Sequence, residues 1–202
     1  MTSAARESLS RLVATMKRAA AALERAEVPA LLAGGLAAWA RGGPPTDHDV
    51  DFFVRERDAE RGLEALVAAG MKPDTPPEGW LLKAWDGDVL VDLIHRPAGT
   101  PVDEAMFARA DAIEVMAQPL LVASLDDVLV TKLLALSEQE PDFSSVLAMA
   151  RSLREQIDWR SVRARSEGAP FAHAFFVLVE GLGIVEGERP PVAVATRRPS
   201  AA

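Results

Sequence analysis

Apolar residues recur every three or four positions through residues 3–27, with charges between them, and this spacing predicts an amphipathic helix. The pattern then changes. Residues 30–33 form a short unbroken apolar run, which predicts a buried strand. Gly34-Gly35 turn that run into an apolar helix reaching Arg41, and Gly42-Gly43-Pro44-Pro45 must break it. Residues 49–54 predict the next strand, and residues 58–69 a helix closed by Gly70. Residues 80–85 and 89–94 flank Asp86-Gly87-Asp88, a strong hairpin signal. Weaker strands are expected at residues 112–116 and 120–123. Character changes at Ser124, where Asp127 three residues on makes a helix-start capping pattern. From there through Leu182 the chain predicts three or four helices.

These elements predict an α+β fold, a small mixed sheet with flanking helices followed by a C-terminal helical segment. The expected division is residues 1–123 for the sheet core with its N-terminal helix and 124–184 for the helical segment. Residues 185–202, rich in Pro, Arg and small side chains, are expected to be a disordered tail. No internal repeat is evident.

With 202 residues, 49% of them hydrophobic, the chain can bury a substantial core. Its net charge of −8 argues against a wholly basic nucleic-acid-binding domain but leaves room for a local basic face. Arg151, Arg154, Arg160, Arg163 and Arg165 cluster, but Glu155, Asp158 and Glu167 are interleaved, the pattern of a solvated helical face. Cysteine is absent, which excludes disulfides and Cys-ligated zinc and fits a cytoplasmic location. The apolar stretches are too short or too interrupted to span a bilayer, and the N-terminal helix lacks a signal-peptide core. No membrane association is expected.

Asp49 and Asp51 carry the chemistry. In a strand, residues i and i+2 share a face, so their carboxylates lie side by side. Two ionised carboxylates that close repel, and a hard cation such as Mg²⁺ (or Mn²⁺) between them removes the conflict. The glycine pair upstream allows backbone N–H groups to approach a phosphate. Phosphate cradle plus metal carboxylates suits phosphoryl or nucleotidyl transfer. Asp92 interrupts the apolar strand Val89-Leu90-Val91-Asp92-Leu93-Ile94. It is either a third carboxylate of the same site, as metal ligand or general base, or an edge-strand acid facing water. Asp86 and Asp88 suit the turn. Lys132 is one cation within an apolar helix. It either snorkels to solvent or reaches a nucleotide phosphate. His48, His95 and His173 lack metal-ligand spacing, and neither a P-loop nor a Gly-x-Ser-x-Gly elbow is present. The four tryptophans suit core or pocket walls, with Trp80 or Trp85 a candidate to stack on a base.

Together these residues resemble the nucleotidyltransferase superfamily, most of all its small bacterial members, among them AbiEii/MenT-type toxins. The matching order is Gly34-Gly35, a spacer, Asp49-x-Asp51 before an apolar strand, then Asp92 on a later strand. The resemblance covers about residues 28–160. It implies catalytic and metal-binding roles for Asp49, Asp51 and Asp92, and nucleotide binding by Gly34, Gly35, Thr46 and Lys132. Pro141-Asp142-Phe143 resembles the continuation after the family's lysine, placing Asp142 about three helical turns further on. Pro44 stands where many relatives carry the Arg of Arg-x-Thr, and Ser144-Ser145 where they carry a further acid. Asp47-His48-Asp49 is also an Asp-x-Asp, but the strand Phe52-Phe53-Val54 follows Asp51 directly. The implied activity is metal-dependent transfer of an NMP from an NTP, such as ATP, to a hydroxyl of tRNA, a protein or a small molecule such as an aminoglycoside. The resemblance extends to a toxin paired with a cognate antitoxin. The alternative is a catalytically silent nucleotide-binding or partner-binding module.

Overall fold

The computed structural model describes residues 3–46, 49–74 and 79–186. Asp47, His48 and most of the expected tail lie outside the described residues. Among the described residues the chain runs α1 (Ser3–Arg25), β1 (Ala30–Leu32), α2 (Gly34–Ala40), β2 (Asp49–Val54), α3 (Glu56–Ala68), β3 (Lys72–Asp74), β4 (Leu81–Asp86) and β5 (Val89–Ile94). It continues through α4 (Glu104–Ala108), β6 (Asp111–Val115), β7 (Gln118–Val122), α5 (Leu125–Ala135), α6 (Ser144–Leu153), α7 (Trp159–Arg165) and α8 (Pro170–Gly181).

The strands make one seven-stranded mixed sheet in the order β3-β4-β5-β2-β1-β7-β6. β2 runs parallel to β5, and β1 parallel to β7; the other neighbours are antiparallel. The expected mixed sheet with flanking and C-terminal helices is what forms. β5 lies inside the sheet, so the edge-strand reading of Asp92 fails. Two elements had no sequence prediction. β3 is three residues long with Pro73 in its middle, a composition tolerated because it is an edge. α4 is a five-residue helix whose start is set by Asp103, which accepts from Met106 N–H at 2.9 Å.

The apolar spacing of α1 buries Leu12, Met16, Ala19 and Leu23, and this stripe lies against α3, β2 and β5. α3 approaches the sheet closely at Gly62, where an added Cβ would lie 3.1 Å from Leu93 and 3.3 Å from Leu23. Leu93 therefore faces this helical layer, and Asp92 beside it faces the other way. Val89, Val91 and Leu93 of β5 are buried on the face under α1 and α3, whereas Asp92 and Ile94 on the other face line a cavity.

Beyond the sheet, α5 packs on α2, α6, α7 and α8. Its start rests on a buried acid. Ser124 Oγ accepts from Asp127 N–H at 3.1 Å, as the capping pattern predicts, and donates to Asp127 Oδ2 at 2.8 Å. Arg109 donates to both Asp127 oxygens at 2.8 and 3.1 Å, and Arg165 of α7 donates to Oδ1. Asp127 thus ties the end of α4, the first turn of α5 and α7 together. Burial alone would raise its carboxyl; the hydrogen bonds from Arg109, Ser124 and Arg165 outweigh it and hold the carboxyl below the usual carboxylate range. Two of the clustered arginines therefore have partners inside the fold, since Arg163 pairs with Glu180 and covers the Phe176 ring at 4.1 Å. Among the described residues, no helix is long and apolar enough to cross a membrane.

Asp127→Ala should destabilise the protein by about 3 kcal/mol in denaturant unfolding. The lower part of the range for buried pairs applies because the Arg109 and Arg165 side chains are 40% and 30% exposed. A depressed carboxyl contributes its stability at neutral pH and loses it as pH falls through its folded value. The wild type should therefore lose its advantage over Asp127→Asn in acid, and a constant difference down to pH 2 would contradict the assignment.

Candidate active site

The parallel register of β2 and β5 sets Asp51 beside Asp92. With Asp49 two residues before Asp51, the three carboxylates project from the sheet face opposite α1 and α3. One oxygen from each lies within 4.8 Å of the others. Asp92 is buried, while Asp49 and Asp51 are half-buried. The crowding has an electrostatic signature. Burial, then the Asp49 carboxylate, then Asp92 push the Asp51 carboxyl up to about 8, although Lys132 and Lys83 pull it down. A carboxyl so displaced carries a proton near neutrality unless a cation compensates it, and three clustered carboxylate oxygens are a donor set that suits a hard divalent ion.

Gly34, the first residue of α2, lies against this cluster. It adopts φ +58°, and a Cβ there would stand 1.7 Å from Asp51 Oδ2. Glycine is required on both counts. Gly35 meets a different neighbour: its Cβ would come 2.6 Å from Thr46 Oγ1. The lack of a side chain thus lets Thr46 lie against the start of α2.

Lys132 projects from α5 toward the acids, close enough to act on Asp51. It is half-buried and lines two adjoining cavities. The first cavity, about 470 Å³, is lined by Gly34, all three aspartates, Trp80, the Pro97–Gly99 turn and Lys132 among others. The second, about 330 Å³, is lined by Gly35, Thr46, Asp142, Ser144 and Ser145, and shares Asp49 and Lys132 with the first. Gly34, Gly35, Thr46, Asp49, Asp51, Asp92 and Lys132 therefore all line this pair of cavities. Asp142 reaches it by an unexpected route. α5 stops at Ala135, Leu136 is extended, and a turn closed between Ser137 and Glu140 intervenes. Asp142 does not continue the lysine helix; it accepts from Ser144 N–H at 2.8 Å at the start of α6.

Lys83 escaped the sequence reading. It lies opposite Asp92 in the β4–β5 hairpin, completing a row Asp51–Asp92–Lys83 across three strands. The signal was present. Asp86 pairs with Val89 around a two-residue turn at Gly87-Asp88, and counting back from that turn sets Lys83 against Asp92. Trp85 is on the same hairpin but outside the cavities, its indole N–H donating to Asp74 at 3.0 Å.

The fold has counterparts among solved structures. The solution structure of the antibiotic-resistance factor ANT(2'')-Ia aligns with a TM-score of 0.58 at 16% identity, over 86% of this chain and 98% of that one. The crystal structure of ANT(2'')-Ia in complex with adenylyl-2''-tobramycin gives 0.59 at 15% identity, over 82% and 99%. The lincomycin-bound lincosamide antibiotic adenylyltransferase LnuA gives 0.45 at 11% identity, over 71% and 90%. At these identities the two ANT(2'')-Ia structures show likeness of fold alone. No curated protein gives a significant sequence match. Residues 13–177 match the model of the family described as nucleotidyl transferase of unknown function (DUF2204), and the chain belongs to that family of nucleotidyltransferases.

Proposed function

We propose that the protein is a metal-dependent enzyme that moves an NMP from an NTP to a hydroxyl of a small molecule. The observation that carries this reading is the convergence of Asp49, Asp51 and Asp92 at the junction of two cavities. Asp49, Asp51 and Asp92 would hold Mg²⁺ or Mn²⁺, which when bound supplies positive charge to the triphosphate and to the acceptor oxygen.

The residues divide the work by position. Gly35, Thr46 and the Ser144-Ser145 hydroxyls line the cavity that takes the NTP. Lys132, shared by both cavities, holds a phosphate oxygen as a point charge. Asp92 lines only the other cavity, which takes the acceptor. There its carboxylate accepts the proton of the acceptor hydroxyl. The freed oxygen attacks the α-phosphorus and forms a new P–O bond. The bond from the α-phosphorus to its β-bridging oxygen breaks, and pyrophosphate leaves with the electron pair. A tRNA acceptor, and with it the toxin reading, calls for basic residues that track a phosphate backbone. Lys132 is the sole cationic side chain lining either cavity among the described residues, which favours a small acceptor.

Three outcomes test this. By titration calorimetry, the Asp49→Ala/Asp51→Ala double variant should lose the Mg²⁺-dependent part of NTP affinity; unchanged affinity would exclude the metal role. Lys132→Ala should weaken NTP binding by about 1.5–3 kcal/mol, the range for a charged hydrogen bond. Asp92→Asn should keep most NTP affinity yet slow pyrophosphate release about 100-fold or more, the usual share of a general base. Pyrophosphate release is to be followed with each NTP and a broad mixture of hydroxyl acceptors. Wild-type protein that binds NTP but releases none with any acceptor would establish the silent binding module instead.

A further inference from the structure

The cavity beside Asp92 is chemically lopsided. Its charged groups are the three aspartates and Lys132, gathered at one end. Much of the remaining wall is apolar: Phe53, Trp80, Ile94, Pro97, Ala98 and Ala135. Trp80 stands out because it is 40% exposed, a large aromatic left open to a cavity in the free protein. Its indole is not held in the core, but its backbone is fixed. The N–H groups of His95 and Arg96 both donate to Trp80 O, at 3.1 and 3.2 Å. The same stretch then runs into the Pro97–Gly99 turn, where Ala98 holds φ +49°, an unfavourable conformation for a residue with a Cβ. The Trp80 backbone and the turn facing the cavity are thus anchored together at the end of β5. An aromatic side chain, with only two χ angles on a fixed backbone, loses little conformational freedom when a flat ligand stacks on it.

The charge pattern constrains the occupant further. Once Asp49, Asp51 and Asp92 hold a cation, no carboxylate remains among the described lining residues to meet an ammonium group. A polycationic amino sugar would bring several ammonium groups to a wall of apolar side chains and one lysine. A neutral molecule meets no such penalty. The volume, about 470 Å³, suits a drug-sized compound.

Resting on the function proposed above, we infer that the acceptor is a neutral compound carrying its reactive hydroxyl beside an aromatic or flat apolar ring, and that Trp80 selects it by stacking. Phenyl glucoside, methyl glucoside and tobramycin make a graded probe set: neutral with a ring, neutral without one, and polycationic. Their binding to the full chain is to be measured by saturation-transfer NMR with Mg²⁺ and a non-hydrolysable ATP analogue, alongside calorimetry of the analogue itself. The expected order is phenyl glucoside tightest, with Trp80→Ala weakening it about tenfold, Trp80→Phe restoring most of the loss, and analogue affinity unchanged in both variants. Tobramycin binding as tightly as phenyl glucoside would overturn the inference. So would equal binding of phenyl and methyl glucoside, or a Trp80→Ala variant that binds all three as wild type does. If the analogue fails to bind while phenyl glucoside still depends on Trp80, the ring site stands and the nucleotidyl-transfer reading falls.

Discussion

Three carboxylates confined within 4.8 Å repel one another, and much of the surrounding structure holds them there against that repulsion. Two come from one strand and the third from its parallel neighbour, so separating them would mean breaking the β2–β5 ladder at the centre of the sheet. α1 and α3 press on the opposite face of those strands, with Leu93 wedged beside Gly62. Gly34, with no side chain, leaves room for the Asp51 carboxylate, which a Cβ there would meet at 1.7 Å. Burial first, and then this repulsion, displaces the Asp51 carboxyl upward, and the nearby lysines relieve only part of it. The acidic cluster is thus held together by the strand ladder and by the apolar packing behind it.

Most of this was visible in the chain before folding. The Asp-x-Asp spacing defines a shared face without knowledge of any partner strand, and a lone acid in Val89–Ile94 announces a polar demand inside an apolar strand. What sequence could not decide was whether that strand was interior or edge, because strand order is a long-range property. It had no way to weigh Lys132 either: an isolated lysine in an apolar helix looks the same whether its amine faces water or a cleft, and only the packing of α5 on α2 distinguishes them. Asp142 failed for a local reason, since the helix was extended past Leu136, whose extended backbone ends it. β3 and α4 are too short to carry a periodic signal. Lys83 was readable from the hairpin turn and was missed by not counting register back along it.

The second cluster of charge, around Asp127, is the mirror image of the first. There a single buried acid has two guanidinium partners and a hydroxyl, and its carboxyl is lowered instead of raised. Its position five residues before Lys132 on α5 gives it a bearing on the site. Pinning the first turn of the helix to α4 and α7 limits how far α5 can slide or rotate over the sheet, and so how far the lysine can stray from the carboxylates. A satisfied ion cluster sets the geometry of an unsatisfied one.

Gly34 and Trp80 line the same cavity under opposite tolerances. At Gly34 any side chain collides with the Asp51 carboxylate and faces an unfavourable backbone angle, so the position tolerates no side chain. Trp80 precedes β4, contributes its backbone rather than its ring to the fold's hydrogen bonding, and leaves much of its surface open. Replacing that ring alters the shape of the wall without disturbing the acids. The cavity therefore joins a half that tolerates no added atom to a half whose shape a single aromatic side chain sets.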